Sequence, residues 1–243
     1  MLATHSAYSV HVLRKISPYF TRFFIEHGIT ANQVSALGIL IGILSAFILS
    51  TGNFIMLVGC LLYQLWNLFD SIDGEIARVT DTKTLSGKYL ETIAESIAES
   101  CFVLFLGIGL SRMLNDDLFL HLGPIFAVFA MSLYCFARAR DQLLSTKTEK
   151  DVRISFKFKQ SSGVTTVYKK VRVLFIVYNG YLVVTALLAL ELVHPIHFRI
   201  SGITLNLLAS YFLVYGILWT MRAIVSTLRN YIRVNSIASG ANS

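Results

Sequence analysis

The sequence has few charged residues, few prolines and few cysteines for its length. Charged residues make up 14% of the 243 residues, whereas 55% are hydrophobic, and the mean hydropathy is +0.64. A soluble domain does not need this much apolar material for its core, so the composition indicates a membrane protein. The three cysteines, Cys60, Cys101 and Cys135, are an odd number inside apolar runs, which argues against a disulfide framework. We expect them to be small packing residues.

The first residues also lack the pattern of a secretory signal peptide, and we expect none. Residues 8–26 instead combine Arg14, Lys15 and Arg22 with aliphatic and aromatic side chains at helical spacing. This stretch predicts an amphipathic helix lying flat on a bilayer surface, interrupted at Pro18. A frayed, solvent-exposed leader is the alternative.

Six apolar runs predict six transmembrane helices. Four of them are uncharged and long enough to cross a bilayer: Val34–Thr51, Leu118–Ala137, Val173–Leu190 and Ile200–Met221. Two others, Phe54–Phe69 and Glu91–Arg112, fit only if their acidic ends lie at the membrane edge. We therefore predict an all-α polytopic membrane protein with an amphipathic leader at 1–33, a six-helix domain at 34–230 with a basic loop at 138–172, and a tail at 231–243.

The distribution of basic residues predicts the orientation. Of the 21 Lys and Arg residues, 19 fall in the leader, around 78–88, in the 138–172 loop or from Arg222 onwards, all on one side of a six-span topology. The other side keeps Arg112 and Arg199. This asymmetry places both termini and the 78–88 loop in the cytoplasm. Because basic residues of membrane proteins follow topology and lipid headgroups, the net charge of +7 is no sign of nucleic-acid binding.

The acidic residues are concentrated in one place: seven of the fourteen lie between positions 70 and 99. Asp70 and Asp73 are three residues apart, and Glu91 and Glu95 are four apart, so each pair shares a helix face. Four carboxylates held together would repel one another unless divalent cations stabilised their ionised form. Oxygen ligands favour magnesium, manganese or calcium over zinc.

Small and basic residues accompany the acids. Gly74 permits close approach of a flat ligand or another backbone, and Arg78 carries a guanidinium suited to phosphate. Metal, glycine and arginine together suggest a diphosphate ligand. Taken singly, the aspartates could be a polar helix end, Arg78 a marker of the cytoplasmic side, and Gly87 a loop-to-helix junction residue.

The pattern Asp70-x2-Asp73-Gly74-x2-Ala77-Arg78-x8-Gly87-x3-Glu91-x3-Glu95 resembles the signature of the CDP-alcohol phosphotransferase family. The six-span count and the position of the motif between the second and third spans agree with that family. A looser likeness covers Thr30 to Val34, where Asn32 is either a family-type polar contact or a helix cap.

The resemblance implies an enzyme that transfers a phosphoalcohol group from a CDP-linked donor to a hydroxyl and releases CMP, in phospholipid or related lipid-linked biosynthesis. By the same resemblance, Asp70, Asp73, Glu91 and Glu95 would hold two Mg²⁺ or Mn²⁺ ions, and Glu95 would also take the proton of the attacking hydroxyl. Gly74, Ala77, Arg78 and Gly87 are the implied nucleotide-binding residues. The implied partners are a CDP-alcohol such as CDP-diacylglycerol, an acceptor alcohol, membrane lipids and a second copy of the chain in a homodimer.

The chain departs from the family pattern at its last two motif positions, which are usually aspartates and here are Glu91 and Glu95. Glutamate keeps the charge and adds a methylene to each ligand. Glu99 continues the same face one turn deeper, either as a functional acid or as a buried acid hydrogen-bonded to a neighbouring span.

Two other functions stay open on the sequence alone. Acids inside spans also mark ion paths, although transporter sites lie near the midplane between repeated halves and no repeat is visible here. A catalytically inactive protein that binds nucleotide or lipid is the second alternative, favoured by the two glutamates. The acceptor is not specified: Arg138 and Arg140 either recognise an acidic substrate or simply follow the positive-inside rule.

Overall fold

The computed structural model of the protein describes residues 12–145, 177–200 and 202–239, and most of the predicted basic loop at 138–172 lies outside them. The described chain is mostly helical. It contains α1 (Arg14–Glu26), α2 (Ala31–Leu49), α3 (Met56–Val79), α4 (Leu85–Leu114), α5 (Leu118–Ser145), α6 (Val177–Val193), β1 (Phe198–Ile200), β2 (Ile203–Leu205) and α7 (Leu207–Ser239).

Helices α2 to α7 coincide with the six predicted apolar runs, but several extend beyond them. Helix α3 continues through the acidic stretch to Val79, and α5 continues to Ser145, eight residues past the end of its predicted span. The extension of α5 contains good helix formers such as Arg, Gln and Leu, whereas that of α3 includes Asp, Ser and Gly, so propensity does not account for the longer α3. Helix α1 also continues through Pro18, near its start, so the predicted interruption is wrong.

Three described helices contain a stretch long and apolar enough to cross a membrane. These stretches are Ala31–Leu49, Ile93–Leu114 and Leu207–Val225. Shorter apolar segments occupy Leu118–Ser132 and Tyr181–Val193. Helix α3 is not among the three because charged residues fill its last turns. The described residues thus support a membrane protein, while the count of six spans stays a prediction.

A short β-hairpin replaces the start of the last predicted span. Strands β1 and β2 are antiparallel, with Phe198 opposite Leu205 and Ile200 opposite Ile203. Gly202 turns the chain with φ of +88°, which a residue with a side chain rarely adopts. The β-branched residues on either side favour strands, so helix α7 begins at Leu207 instead of the predicted Ile200.

Helices α2, α3 and α4 pack closely because small residues lie where their backbones meet. A Cβ on Gly109 of α4 would lie within 2.1 Å of the Leu49 carbonyl oxygen, and one on Gly42 of α2 would lie 3.1 Å from the Trp66 ring. Helix α5 packs on α4 and α7, and α6 packs on α3 and α7. All three cysteines are free; Cys60 is buried as predicted for a packing residue, whereas Cys135 is exposed.

The bundle has two distinct ends. At one end, Arg112 of α4 donates to the Ser50 carbonyl at 2.6 Å, near the hairpin. At the other end α2 and α4 begin and α3 ends, so the acidic motif lies there. We call this second end the motif end.

Candidate active site

The acidic motif begins on the last turns of α3. Asp70 is half-buried and Asp73 is only 8% exposed. The helix ends where the Thr80 N–H donates to the Ile76 carbonyl at 2.9 Å. Asp81 then adopts a left-handed φ of 53°, which aspartate tolerates better than most residues, and the chain turns towards α4.

Two helices begin side by side opposite the end of α3. Thr84 caps α4 by accepting a hydrogen bond from the Gly87 N–H at 3.0 Å. Thr30 caps α2 in a capping box with Gln33, whose side chain accepts from the Thr30 N–H at 2.9 Å. A Cβ on Gly87 would lie 3.9 Å from the Asn32 Oδ1, an ordinary van der Waals distance, so the two helix starts are in contact at this point.

A large open cleft lies between these three helix ends. Its volume is about 800 Å³. We call it the motif cleft; it is lined by Ile25, Gly28, Ile29, Thr30, Ala31, Asn32, Ser35, Asp73, Gly74, Ile76, Ala77, Arg78, Thr80, Thr82, Lys83, Thr84 and Gly87. All four predicted nucleotide-binding residues and one predicted metal ligand therefore share one cavity.

The charges around the motif cleft suit an anion together with a cation. Arg78 and Lys83 bring positive charge, and the starts of α2 and α4 add N–H groups and the positive ends of two helix dipoles. Asp73 contributes a nearly buried carboxylate on the same wall. A diphosphate that carries a metal ion has this pattern of charges.

The absence of a side chain on Gly74 makes room for the side chain of Arg78. A Cβ on Gly74 would lie 3.3 Å from Arg78 Nη1, so the missing side chain lets the guanidinium lie against the helix one turn away. Ala77, beside Arg78 on the cleft wall, adds only a methyl group. This wall therefore leaves room for a flat ligand beside a cationic group.

Ser35 contacts Asp73, a contact that the sequence analysis missed. Its hydroxyl lies 2.5 Å from Asp73 Oδ2 and 3.1 Å from the Ala31 carbonyl. A hydrogen bond from a neutral hydroxyl to a carboxylate is short and strong, and it fixes the orientation of the acid. The sequence feature that could have indicated this contact is a serine one turn inside an apolar span, next to a predicted site.

Glu75 also has partners that the sequence did not indicate. Ser17 Oγ lies 2.5 Å from Glu75 Oε1, and Thr21 Oγ1 lies 2.7 Å from Oε2. Both hydroxyls come from α1, four residues apart and therefore on one face. Glu75 thus faces α1, although it is only two positions from Asp73.

A family model for CDP-alcohol phosphatidyltransferases matches residues 28–196, more than two thirds of the chain. This protein belongs to the CDP-alcohol phosphatidyltransferase family. The match confirms the resemblance seen in the motif, and it includes both the start of α2 and the whole signature from Asp70 to Glu95.

Two curated relatives each match a part of the chain. A 98-residue segment is 35% identical to the Bifunctional IPC transferase and DIPP synthase of Thermococcus kodakarensis, over 40% of this chain and 22% of that protein. The protein of the same name from Aquifex aeolicus is 30% identical over 99 residues, 41% of this chain and 21% of that one. The matched part of this phosphatidyltransferase family member spans about a fifth of each relative's length.

Solved structures of another protein share the fold. Mycobacterium tuberculosis phosphatidylinositol phosphate synthase (PgsA1) with CDP-DAG bound has a TM-score of 0.61 at 15% identity, covering 89% of this chain and 93% of that one. Its apo form has a TM-score of 0.56 at 14% identity, with coverages of 88% and 94%. At these identities the likeness establishes the fold alone.

The predicted metal ligands are distributed over α3 and α4. Asp70 and Glu95 are half-buried, Asp73 is buried, and the Glu91 side chain lies outside the described residues. Within the described part, no three histidine, cysteine, aspartate or glutamate side chains are grouped so that they could hold a metal ion. Asp70, Asp73 and Glu95, three of the four predicted ligands, belong to the described part and do not form such a group.

Glu99 lies in a different environment from Asp73. It is 4% exposed and borders a small cavity of about 40 Å³ between α4, α5, α6 and α7. The other walls of that cavity are aliphatic and aromatic, including Phe102, Phe126, Tyr215 and Trp219. Glu99 is therefore on the predicted helix but outside the motif cleft.

Proposed function

We propose that this protein transfers a phosphatidyl group from a CDP-alcohol to the hydroxyl of an acceptor alcohol and releases CMP. The observation that carries the proposal is that five motif residues from two helices, Asp73, Gly74, Ala77, Arg78 and Gly87, line one cleft of about 800 Å³. That volume lies in the usual range of ligand sites. Family membership and the CDP-DAG bound to the structurally similar PgsA1 support the donor class.

The donor would be held by both the small and the charged walls of the motif cleft. Gly74 and Ala77 would face the cytidine, since neither carries a side chain longer than a methyl group. Arg78 would donate hydrogen bonds to the diphosphate, and the N–H groups at the starts of α2 and α4 would add to the binding of the anion.

The acidic residues would hold the two Mg²⁺ or Mn²⁺ ions that the family resemblance implies. The fit rests on an all-oxygen ligand set, Asp70, Asp73, Glu91 and Glu95, and on the buried Asp73 carboxylate at the cleft wall. When bound, the ions would stabilise charge on the diphosphate and acidify the acceptor hydroxyl.

Glu95 would act as the general base. The acceptor oxygen forms a bond to the phosphorus that carries the alcohol, and the bond from that phosphorus to the oxygen of CMP breaks. Glu95 takes the proton of the acceptor hydroxyl, so that CMP leaves with the bonding electron pair. Ser35 would hold Asp73 in the orientation that it needs.

The protein is proposed to span the membrane six times, with both termini and the motif end in the cytoplasm, and with α1 on the membrane surface. The charge asymmetry and the exposed apolar residues of α1 support this topology. An impermeant thiol reagent on intact cells should label a cysteine at His194 but not one at Thr82, both of which are exposed positions. Labelling of Thr82→Cys alone would invert the topology.

Release of CMP from CDP-diacylglycerol in liposomes tests the proposed activity. Purified protein with Mn²⁺ and a panel of soluble alcohols should release CMP with at least one acceptor, and excess EDTA should stop the release. Full activity in EDTA would contradict the metal sites. Binding of CDP-diacylglycerol without CMP release under any acceptor would contradict the enzyme and favour a binding protein.

A further inference from the structure

Helix α1 packs against α3 with its polar side inward. Its two buried residues are Ser17 and Thr21, which are 0% and 5% exposed. Four of its large apolar residues are exposed, namely Ile16, Tyr19, Phe20 and Phe23, whereas Phe24 and Ile25 at its end are half-buried. A surface helix of a soluble domain would have the opposite arrangement, so the outer face of α1 fits a membrane surface and the inner face fits a polar partner on α3.

The polar partner is Glu75. One carboxylate oxygen accepts from Ser17 and the other accepts from Thr21, so both oxygens and both hydroxyls are used. Hydrogen bonds to an ionised acceptor are roughly twice as strong as neutral ones. Two such bonds from residues four apart fix α1 both along its axis and in rotation relative to α3.

The same helix continues into the wall of the motif cleft. Ile25 at the end of α1, together with Gly28 and Ile29, lines the same cleft as Gly74 and Ala77. Ile25 and Ile29 also pack on the buried apolar side chains of α3, including Ile72 and Ile76. Glu75 lies between these apolar contacts on α3, so movement of α1 away from Glu75 would displace one wall of the cleft.

We propose that Glu75 is a positioning residue that couples α1 to the donor site. Its carboxylate holds α1 on α3, and α1 in turn holds the Ile25–Ile29 wall at the distance that the CDP-alcohol requires. This inference rests on the proposed function for its role in donor binding. The contact between Glu75 and α1 can be tested whether or not the protein turns over a substrate.

Hydrogen exchange of the α1 amides tests the contact directly. Full-length protein in nanodiscs should show faster exchange over residues 14–26 in Glu75→Ala than in the wild type, and Ser17→Ala/Thr21→Val should reproduce the increase. Glu26→Gln is the matched control, because Glu26 forms an exposed pair with Arg22 on the same helix and is not the partner of α3. Unchanged exchange in Glu75→Ala would overturn the proposal.

Kinetics on the same variants test the role in the donor site. Glu75→Ala should raise the KM for the CDP-alcohol about tenfold and change kcat less than about twofold, since the lost interaction positions a binding wall. Adding Ser17→Ala and Thr21→Val to Glu75→Ala should cause no further rise, because the three residues act as one unit. Glu75→Gln keeps the shape of the side chain and should give an intermediate KM. This variant allows the test to be made even if Glu75→Ala fails to fold.

Three results would contradict the positioning role. One is an unchanged KM in both Glu75 variants, and another is a fall in kcat at constant KM. The third is an additive effect of the α1 substitutions. A wild-type protein that releases no CMP would overturn the proposed function and the role in donor binding with it, whereas the exchange experiment would still decide whether Glu75 holds α1.

Discussion

The motif cleft and the cavity around Glu99 each contain a nearly buried carboxylate, but their surroundings differ in every other respect. Asp73 is 8% exposed and borders an open cleft of about 800 Å³ together with Arg78 and Lys83. Glu99 is 4% exposed and borders a small cavity of about 40 Å³ with mostly aromatic and aliphatic walls. Both acids lie in the same acidic stretch of the sequence.

The difference shows that burial of an acid is a poor guide to its role. A functional carboxylate needs access for a ligand and partners that orient it, and Asp73 has both, through the cleft and through Ser35. Glu99 borders a cavity of about 40 Å³, which has room for only a few water molecules. We therefore assign the chemistry to the cleft and treat Glu99 as part of the bundle interior.

The largest effect is expected for Asp73→Asn. The amide keeps the shape but loses the charge needed to hold a metal ion, so CMP release should fall about 100-fold or more while the melting temperature changes little. Asp70→Asn should behave similarly. The measurement is initial-rate CMP release at saturating Mn²⁺, with thermal unfolding of the same samples.

Glu99→Gln is the control that could break the comparison. Replacement of the Glu99 carboxyl group by an amide should leave CMP release within about threefold of the wild type. If Glu99→Gln abolishes release and Asp73→Asn retains a tenth or more of it, the assignment of the two carboxylates is reversed.

A smaller loss is expected where the chain departs from its family. If Glu91 and Glu95 are ligands, the helices are already spaced for the longer side chain, and a metal site tolerates only about 0.2 Å of error in distance. Glu91→Asp and Glu95→Asp should each lower turnover, by about 30-fold, and the corresponding Gln variants should lower it further. CMP release across a manganese titration measures both effects.

The alternative of an inactive binding protein predicts the opposite result. In that case the native protein is idle and Glu91→Asp/Glu95→Asp gains CMP release. Activity that arises only in the double aspartate variant would show that the glutamates had removed the function.

Among the substitutions expected to impair the site, the smallest effect is expected for Ser35→Ala, which removes the hydroxyl next to Asp73. The manganese concentration for half-maximal rate should rise about tenfold, because groups that orient metal ligands affect metal affinity. Ser45→Ala is the matched control on the same helix: Ser45 donates to the Gly59 carbonyl at 2.7 Å in the buried interior. It should cost about 1 kcal/mol of folding free energy and leave the manganese dependence unchanged. Equal manganese dependence in the two variants would remove Ser35 from the site.

The sequence predicted the family and five of the seventeen residues that line the cleft, because those five depend on fixed spacing along two helices. Gly74, Ala77, Arg78 and Gly87 were named from the motif, and all four line the same cavity. Contacts between distant helices have no such pattern. Ser35 and Glu75 were missed because their partners are 38 and 54 to 58 positions away in the chain.

Local competition between structures explains the other differences. The run from Ile200 is apolar enough for a span, but Gly202 and its β-branched neighbours form a hairpin first. Pro18 looked like an interruption, yet a proline near the start of a helix loses few hydrogen bonds. In both cases the residue type mattered less than its position within the element.

Protection of the motif cleft from a thiol reagent tests the central claim most directly, because it reports where the donor binds whether or not turnover follows. The variant carries Thr82→Cys with Cys60, Cys101 and Cys135 replaced by alanine, and a second variant carries His194→Cys at the opposite end. In detergent with Mn²⁺, CDP-diacylglycerol at ten times its half-saturating concentration should slow maleimide labelling at position 82 about tenfold and leave position 194 unchanged. Equal labelling rates at position 82 with and without the donor would contradict the assignment of this cleft.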